Sequence, residues 1–506
     1  MMRLNSKNAL FIVLIVALVL RLGAVIFSKG YMANDDHFET VRIASEGMQH
    51  GLLDENDHLI WRSDKPHQIG RSPLYVLSLY AVMKALTWTG IERPDPMMYF
   101  IRFIHALFSL VTVWLGFWYI RKTTGSIRWA AIGGLILAAF YLMPYISVRN
   151  LVEVVSSNFL IPCLYLAWLG VEKKDSRFLV LSGMLGGLAW MIRFNTGLAV
   201  VPIPLAIWYL THRFRAAGYF CLGAAIILIF SGTLDYIYLG GFGRSTINIF
   251  KSFWYVVDSP PLPHPVWLYA LVILGVFIPP FSLFFIGSIF NRSVIGKHLI
   301  IFSSAALFFV AHSLIAHKEE RFMLPILPIL IILGVIGLHH WLSGPVRYRF
   351  LRKAFKYSAI PAVVLNIIIL PLFTFNYAHK GMVEPFVYLS KQDDITGIVI
   401  DRLERRRFLP VDYANLDEPV YTKLDRWDQL AKLPEEEPIS DGANYFVIFS
   451  DDIHEVHVDS LETVFGPLER VFHSPPSLMD RILHFLNPRY NHLNESWVYK
   501  SIGSTD

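Results

Sequence analysis

Cysteine is almost absent from the 506-residue chain: the two present, Cys163 and Cys221, both lie in apolar stretches. That excludes a disulfide framework and a cysteine-based metal centre. Charge is scarce as well, since Asp, Glu, Lys and Arg together make 17% of the residues where a soluble domain has about a quarter. No internal repeat of fixed period and no low-complexity tract interrupts the chain. The first residues, MMRLNSKNALFIVLIVALVLRLGAVIF, stay apolar past residue 20 and lack a small-residue cleavage site, so they read as a retained first span rather than a signal peptide.

What fills the chain instead is apolar. Hydrophobic residues make 54% of it, mean hydropathy is +0.45, and long apolar runs recur along it. This is the pattern of an α-helical polytopic membrane protein. Candidate spans are 9–28, 72–90, 98–120, 129–146, 158–171, 178–192, 196–211, 216–234, 266–289, 298–316, 323–342 and 355–375. The net charge of +5 is that of a chain oriented by its basic loops, and it gives no reason to expect a nucleic-acid partner. Basic residues cluster at 121–128, 172–177, 212–215, 291–297 and 347–353, and the excess of Lys and Arg places these loops, with Arg3 and Lys7, in the cytoplasm. Eleven crossings satisfy that arrangement if 72–90, which carries Lys84, makes no net crossing; twelve or thirteen are the alternatives.

The opposite, extracytoplasmic face then receives the loop 29–71, Arg149 to Glu153, Arg193-Phe194-Asn195, the loop 235–265 and the segment after residue 316. It also receives residues 376–506, where charge rises and strands are predicted at 419–424 and 445–450 with a helix near 393–406. Two domains follow: a membrane module over 1–375 and a small α/β domain over 376–506.

The densest charge is His317-Lys318-Glu319-Glu320-Arg321-Phe322, caught between two apolar runs. Ionisable side chains at a membrane surface are costly and tend to be functional. Three cations beside two carboxylates can grip a phosphate at the edge of a bilayer. The same loop also fits a charged cap between two helices. Near the start, Asn34-Asp35-Asp36-His37-Phe38-Glu39 follows the first span. Adjacent carboxylates there suit a general base, a divalent-cation site or a merely hydrated loop. Arg21 inside the first span is expected to meet a lipid phosphate or a partner acid, or to snorkel. His105 and His312 read as packed, hydrogen-bonded histidines. The 14% of aromatic residues fits interfacial belts and a sugar-stacking site.

His317 to Phe322, followed by Met323-Leu324-Pro325-Ile326-Leu327-Pro328, resembles the signature of the lipid-linked α-mannosyltransferases of glycosyltransferase family 22. That family has the GT-C fold and includes the enzymes that mannosylate the N-glycan precursor and the GPI anchor. Four further motifs are similar and in order: the acidic pair Asp35-Asp36; Gly70-Arg71-Ser72-Pro73-Leu74-Tyr75; Asp235 to Gly243 followed by Asn248-Ile249-Phe250-Lys251-Ser252-Phe253; and His264-Pro265-Val266-Trp267. The family's Arg-Thr-x-x-Asn-x-x-Glu survives only as Arg149-Asn150-Leu151-Val152-Glu153, with altered spacing, and its second acid, often Glu, is Asp36. The resemblance covers about residues 9–345. It implies Asp35, or else Asp36, as catalytic base. It implies His317, Lys318, Arg321 and Arg71 as donor-phosphate ligands, and Glu39, Trp61, Glu320, Asp235, His264, Trp267 and Arg149 as substrate-binding residues.

The resulting expectation is an inverting transferase of mannose, or a related hexose, from a polyprenyl-phosphate sugar to a glycolipid or lipid-linked glycan. A polyprenyl phosphate needs no general acid to leave. The protein must take the acceptor proton and stabilise charge growing on the phosphate, and its own cations do this without a metal or other cofactor. The compact length, and an end without an endoplasmic-reticulum retention signal, point to a bacterial inner membrane and an undecaprenyl-type donor. The alternatives are transfer of aminoarabinose or glucose, and a flippase for lipid-linked sugars. Flippases hold charge near the midplane and often show inverted repeats, neither of which this chain displays.

Overall fold

A computed structural model describes residues 5–33, 36–52, 71–258, 263–343, 349–401, 409–414, 421–424, 442–449, 454–486, 488, 493 and 495–502. Among the described residues, seven helices are long and apolar enough to cross a bilayer: Ser6–Phe27, Pro94–Thr124, Val152–Lys173, Phe194–Thr211, Phe214–Leu239, Glu320–Ser343 and Phe350–Thr374. Four shorter apolar helices, Pro73–Thr87, Ile127–Ala139, Ser176–Ile192 and Leu299–Leu314, and one bent pair occupy the remaining apolar runs. The chain forms two compact units. One holds Met1–Ala24, Leu52–Ser78 and Arg102–Thr374; the other holds Val25–Gly51, Leu79–Ile101 and Phe375–Asp506.

Small residues and buried polar groups join the helices of the first unit. A Cβ added to Gly183 would lie 2.0 Å from the Phe220 carbonyl oxygen, and one on Gly223 would lie 2.0 Å from that of Val180. The helices Ser176–Ile192 and Phe214–Leu239 therefore meet backbone to backbone, the usual solution where lipid removes the hydrophobic drive between helices. Arg21 does not do what the sequence suggested. It is wholly buried, and its guanidinium donates to Ser109 Oγ at 2.6 Å and to the carbonyls of Ala17, Ala138 and Leu137 at 3.3–3.4 Å. The bare carbonyls at the end of Ile127–Ala139 substitute for the acid or lipid phosphate it was expected to find. His105 is packed as expected, bonded to Tyr75 Oη at 3.1 Å and Asn150 Oδ1 at 2.9 Å. His312 likewise bonds the Phe308 carbonyl and stacks on its ring.

The segment expected as one span over 266–289 is broken. Leu268–Val276 and Phe281–Ile289 are bent by 114° from one to the next. Pro279 and Pro280 have no N–H to continue the helical ladder, and Ile278 turns to a φ of +61°. A related effect shapes the start of Glu320–Ser343. Pro325 and Pro328 remove two donors, so Glu320–Ile326 winds as a tighter 3₁₀ helix before Leu327–Ser343 continues as α. Ser157 ties that turn down by donating to the Pro325 carbonyl at 3.0 Å.

The second unit is built on five strands: β1 Ile398–Asp401, β2 Tyr421–Leu424, β3 Tyr445–Ile448, β4 Leu468–Ser474 and β5 Ser496–Ser501. Their order is β2-β1-β3-β5-β4, with β1 parallel to β2 and β3, and β5 antiparallel to β3 and β4. β2 and β3 stand where strands were expected. Of the helix expected near 393–406, residues 402–406 lie outside the described residues; the described part instead ends in a strand, because Ile398-Val399-Ile400 is a β-branched run whose every side chain is buried, the mark of a central parallel strand. Phe446, Ile448, Trp497, Tyr499 and, from helix His454–Phe465, Leu461 pack together beside the sheet. Helix Lys380–Leu389 buries Met382, Val383, Phe386 and Leu389.

Candidate active site

In the first unit the sequence His317 to Phe322 is held by its backbone, which leaves its charged ends to face one another. Pro263 and His317 form an antiparallel bridge, and the His264 N–H donates to the Ala316 carbonyl at 2.9 Å. The Tyr269 hydroxyl both accepts from the Glu319 N–H and donates to its carbonyl, each at 3.2 Å. Lys318 is buried. Its ammonium donates to the carbonyls of Ile315 and His264, and burial lowers its pKa from the ordinary lysine value. The other two cations gather on Glu319, with Arg321 Nε 2.6 Å from Oε2 and His317 Nε2 3.3 Å from Oε1. Glu320 is exposed.

Phe322 extends this cluster to two helices. The guanidinium of Arg321 lies 5.5 Å from its ring centre and that of Arg193 lies 5.3 Å from it. Arg193 also pairs with Glu153 at 2.9 Å, where the carboxylate side chain is 1% exposed. Glu153, Arg193, Phe322, Arg321, Glu319 and His317 thus form one continuous chain of contacts. Arg193 was passed over as a site residue in the sequence. Its signal was a charge directly after the apolar helix Ser176–Ile192 and before the short 3₁₀ turn Phe194–Thr196.

The other first-unit candidates make contacts of their own. Arg149 is buried, with its guanidinium 4.2 Å above the Tyr145 ring. Asp235 accepts from the Ser245 N–H at 3.0 Å and its hydroxyl at 2.6 Å, fixing the first turn of Arg244–Asp258. Arg71 is half-buried just before Pro73–Thr87, beside Ser72, whose Oγ lies 2.9 Å from Ser231 Oγ. Trp267 is 60% exposed. His264 contributes backbone groups to the loop, and its residue is exposed.

The acidic segment belongs to the second unit. Asp35 and Trp61 lie outside the described residues. Asp36 is buried and leads into a short π-helical turn, His37–Val41, a rare form that recurs at functional sites. Glu39 on that turn is exposed, so the two acids are in different surroundings. His37 sits in an aromatic column. Its ring stacks at 4.7 Å on Tyr31 and at 5.6 Å on Tyr413, while Tyr31 stacks at 4.7 Å on His379. His37 Nε2 lies 3.6 Å from Asp412 Oδ2, with both side chains nearly closed to solvent.

The described residues thus form a multi-pass helical protein with a basic loop at the end of an apolar run and a small mixed sheet near its C-terminus. The chain belongs to the Alg9-like mannosyltransferase family, whose model matches residues 12–397. It is 23% identical over 411 residues to GPI mannosyltransferase 3 of Yarrowia lipolytica (strain CLIB 122 / E 150), across 77% of this chain and 72% of that one. Its fold resembles ArnT from Cupriavidus metallidurans bound to undecaprenyl phosphate, with a TM-score of 0.59, 14% identity and coverage of 96% of this chain and 97% of that one. The oligosaccharyltransferase of Archaeoglobus fulgidus, solved with zinc and sulfate, matches with a TM-score of 0.50 and 12% identity over 86% of this chain and 67% of that one. The protein is therefore a membrane-embedded glycosyltransferase of a mannosyltransferase family, with the GT-C fold expected from its motifs.

Proposed function

We propose that the protein transfers mannose from a polyprenyl-phosphate carrier to a lipid-linked glycan or glycolipid, with inversion. The observation that carries this reading is the gathering of Arg321 and His317 on a single carboxylate, Glu319, whose side chain is 38% exposed. An incoming phosphate brings the oxygen acceptors that both cations already seek, so it can replace Glu319 without a change of partner type. Arg321 supplies a planar fork to two phosphate oxygens, and His317 adds a third donor. Lys318 holds the loop in shape through the Ile315 and His264 carbonyls while its charge adds to the local field. Arg193, steadied by Glu153 and Phe322, keeps the edge of the site positive.

Reaction then requires only one proton transfer. A carboxylate of the acidic pair, Asp35 in this reading, takes the proton from the acceptor hydroxyl as its oxygen attacks the anomeric carbon from the face opposite the phosphate. The glycosyl–oxygen bond to the phosphate breaks through an oxocarbenium-like state, and the phosphate leaves with the bonding pair into the cationic loop. A β-linked donor yields an α-mannoside. The topology that fits this chemistry gives Pro73–Thr87, which carries Lys84, no net crossing. The basic segments then fall in the cytoplasm, and the acidic pair, the His317–Arg321 loop and the sheet share the outer face.

The test is direct. Purified protein is incubated with a panel of polyprenyl-phosphate sugars and glycolipids extracted from the host, and products are read by mass spectrometry. Addition of one hexose from the mannosyl donor is the expected result. Addition from glucosyl or aminoarabinosyl donors alone would replace mannose in the reading, and no addition from any donor would overturn it.

A further inference from the structure

The second unit contains a cavity of about 260 Å³ that no part of the mechanism above uses. It is smaller than a typical drug-sized pocket and suits a single sugar ring or a compact headgroup. It lies between the helix Arg42–His50, the turn joining Pro73–Thr87 to Pro94–Thr124, and the segment Val411–Ala414. Its wall carries two carboxylates, Glu92 and Asp412, and among the described lining residues there is no lysine, arginine or histidine. The side chain of Asp412 is 6% exposed, and its Oδ1 has no hydrogen-bond partner among the described residues. A nearly buried carboxylate oxygen without a donor is costly, and a ligand that supplies the donor removes the cost. Tyr413 presents aromatic surface beside it, and Met48, Met83, Met97 and Met98 give a soft, adaptable lining.

The geometry points to a binding site for a primary ammonium group carried on a sugar or a small headgroup, with Asp412 as its main acceptor, Glu92 as a second negative charge and Tyr413 as a stacking surface. The site joins the acidic segment directly. Asp412 pairs with His37, which follows Asp36, and Val41 at the end of the same π-helical turn lines the cavity. An acceptor anchored here by its amine is held against the segment that carries the candidate base. The ligand class is read from the cavity alone; only its assignment to the acceptor rests on the transferase reading. Two sources offer this chemistry: an amino sugar within the acceptor glycan, or the ethanolamine headgroup of a bulk lipid.

The experiment is a methionine footprint on the full chain in detergent. Dilute peroxide oxidises methionines, and peptide mass spectrometry follows Met48, Met83, Met97 and Met98, with the 38%-exposed Met32 as an internal control. The probes are methyl glucosaminide, its N-acetyl analogue and phosphoethanolamine. An occupied cavity is protected by a factor of one plus the ratio of ligand to Kd, so oxidation slows about threefold when ligand is at twice its Kd. Methyl glucosaminide is expected to protect the cavity methionines and leave Met32 unchanged, while the uncharged N-acetyl analogue protects neither. Stronger protection by phosphoethanolamine assigns the site to a lipid headgroup; stronger protection by the amino sugar assigns it to the acceptor. Asp412→Asn should abolish protection at an unchanged melting temperature. If that variant does not fold, Glu92→Gln, on the exposed turn, should weaken it. Equal protection by amine and N-acetyl probes, or by none, overturns the proposal. Because the footprint needs no turnover, failure of sugar transfer with intact protection would count against the mechanism and not against this site.

Discussion

Arg321→Lys separates a residue that meets the donor from one that only shapes a loop. The Nε of Arg321 lies 2.6 Å from Glu319, whose side chain is 38% exposed, so water screens the pair to about 0–1 kcal/mol. The guanidinium adds its contact with the Phe322 ring, on the order of 0.5–1 kcal/mol at a partly exposed position. Lysine keeps the positive charge and can still reach toward both groups, so the variant should lose less than about 1 kcal/mol of stability. What lysine cannot copy is the planar fork to a phosphate whose charge grows as the sugar departs. Losing one such donor costs about 2–4 kcal/mol of transition-state stabilisation, or about 30- to 900-fold in rate. Initial rates of mannosyl transfer, thermal melting in detergent and binding of free polyprenyl phosphate measure the three quantities on one preparation. A large rate loss and weakened lipid-phosphate binding at nearly constant melting temperature is expected. Unchanged lipid-phosphate affinity together with a marked stability loss would refute the reasoning and leave Arg321 as half of a structural pair.

Asp35→Asn should slow turnover by about a hundredfold or more while donor binding survives, the usual scale for losing a general base. Asp36→Asn should cost less, and a larger effect there would exchange the two roles. Gly223→Ala raises helix propensity yet should destabilise, because its Cβ would sit 2.0 Å from the Val180 carbonyl oxygen, well inside the 3.4–4 Å of ordinary contact. Forcing those helices apart should cost about 1–3 kcal/mol, read from melting in detergent, and a stabilised variant would show that the crossing is looser than described. For topology, Ser63→Cys, Glu320→Cys and Ser440→Cys, made singly after removing Cys163 and Cys221, should all react with an impermeant thiol reagent on intact spheroplasts. Protection at position 320 with labelling at 440 would contradict a shared outer face.

The apolar runs were legible because burial in lipid leaves a backbone few options other than helix, and every marked run carries one. Hydropathy does not register a change of direction, so Leu268 to Ile289 read as one span although Pro279-Pro280 breaks it. The tail was harder for the reverse reason. Four-residue strands such as Ile398–Asp401 are too short to show a period. The basic loop was visible because its residues are neighbours in the chain. The partners Glu153 and Arg193, and His37 and Asp412, are brought together only by folding, and neither pair has a spacing that announces it.

Arg21 sets a constraint on how the protein is made. Its contacts include the Ala138 carbonyl, 117 residues later in the chain. At the usual pace of synthesis that partner emerges roughly 6–23 s after the arginine itself. Until Ser109, and then Leu137 and Ala138, have emerged, its guanidinium finds only the Ala17 carbonyl of its own helix, and a poorly satisfied cation costs near 2.5–3.5 kcal/mol at a helix centre. The nascent segment must therefore stay beside the insertion machinery, or near the water there, until the helix Ile127–Ala139 arrives to close around it. Ribosome pausing before that helix should lengthen the exposure and route more chains to quality control, whereas Arg21→Leu should let the first span leave early and lose its place in the bundle.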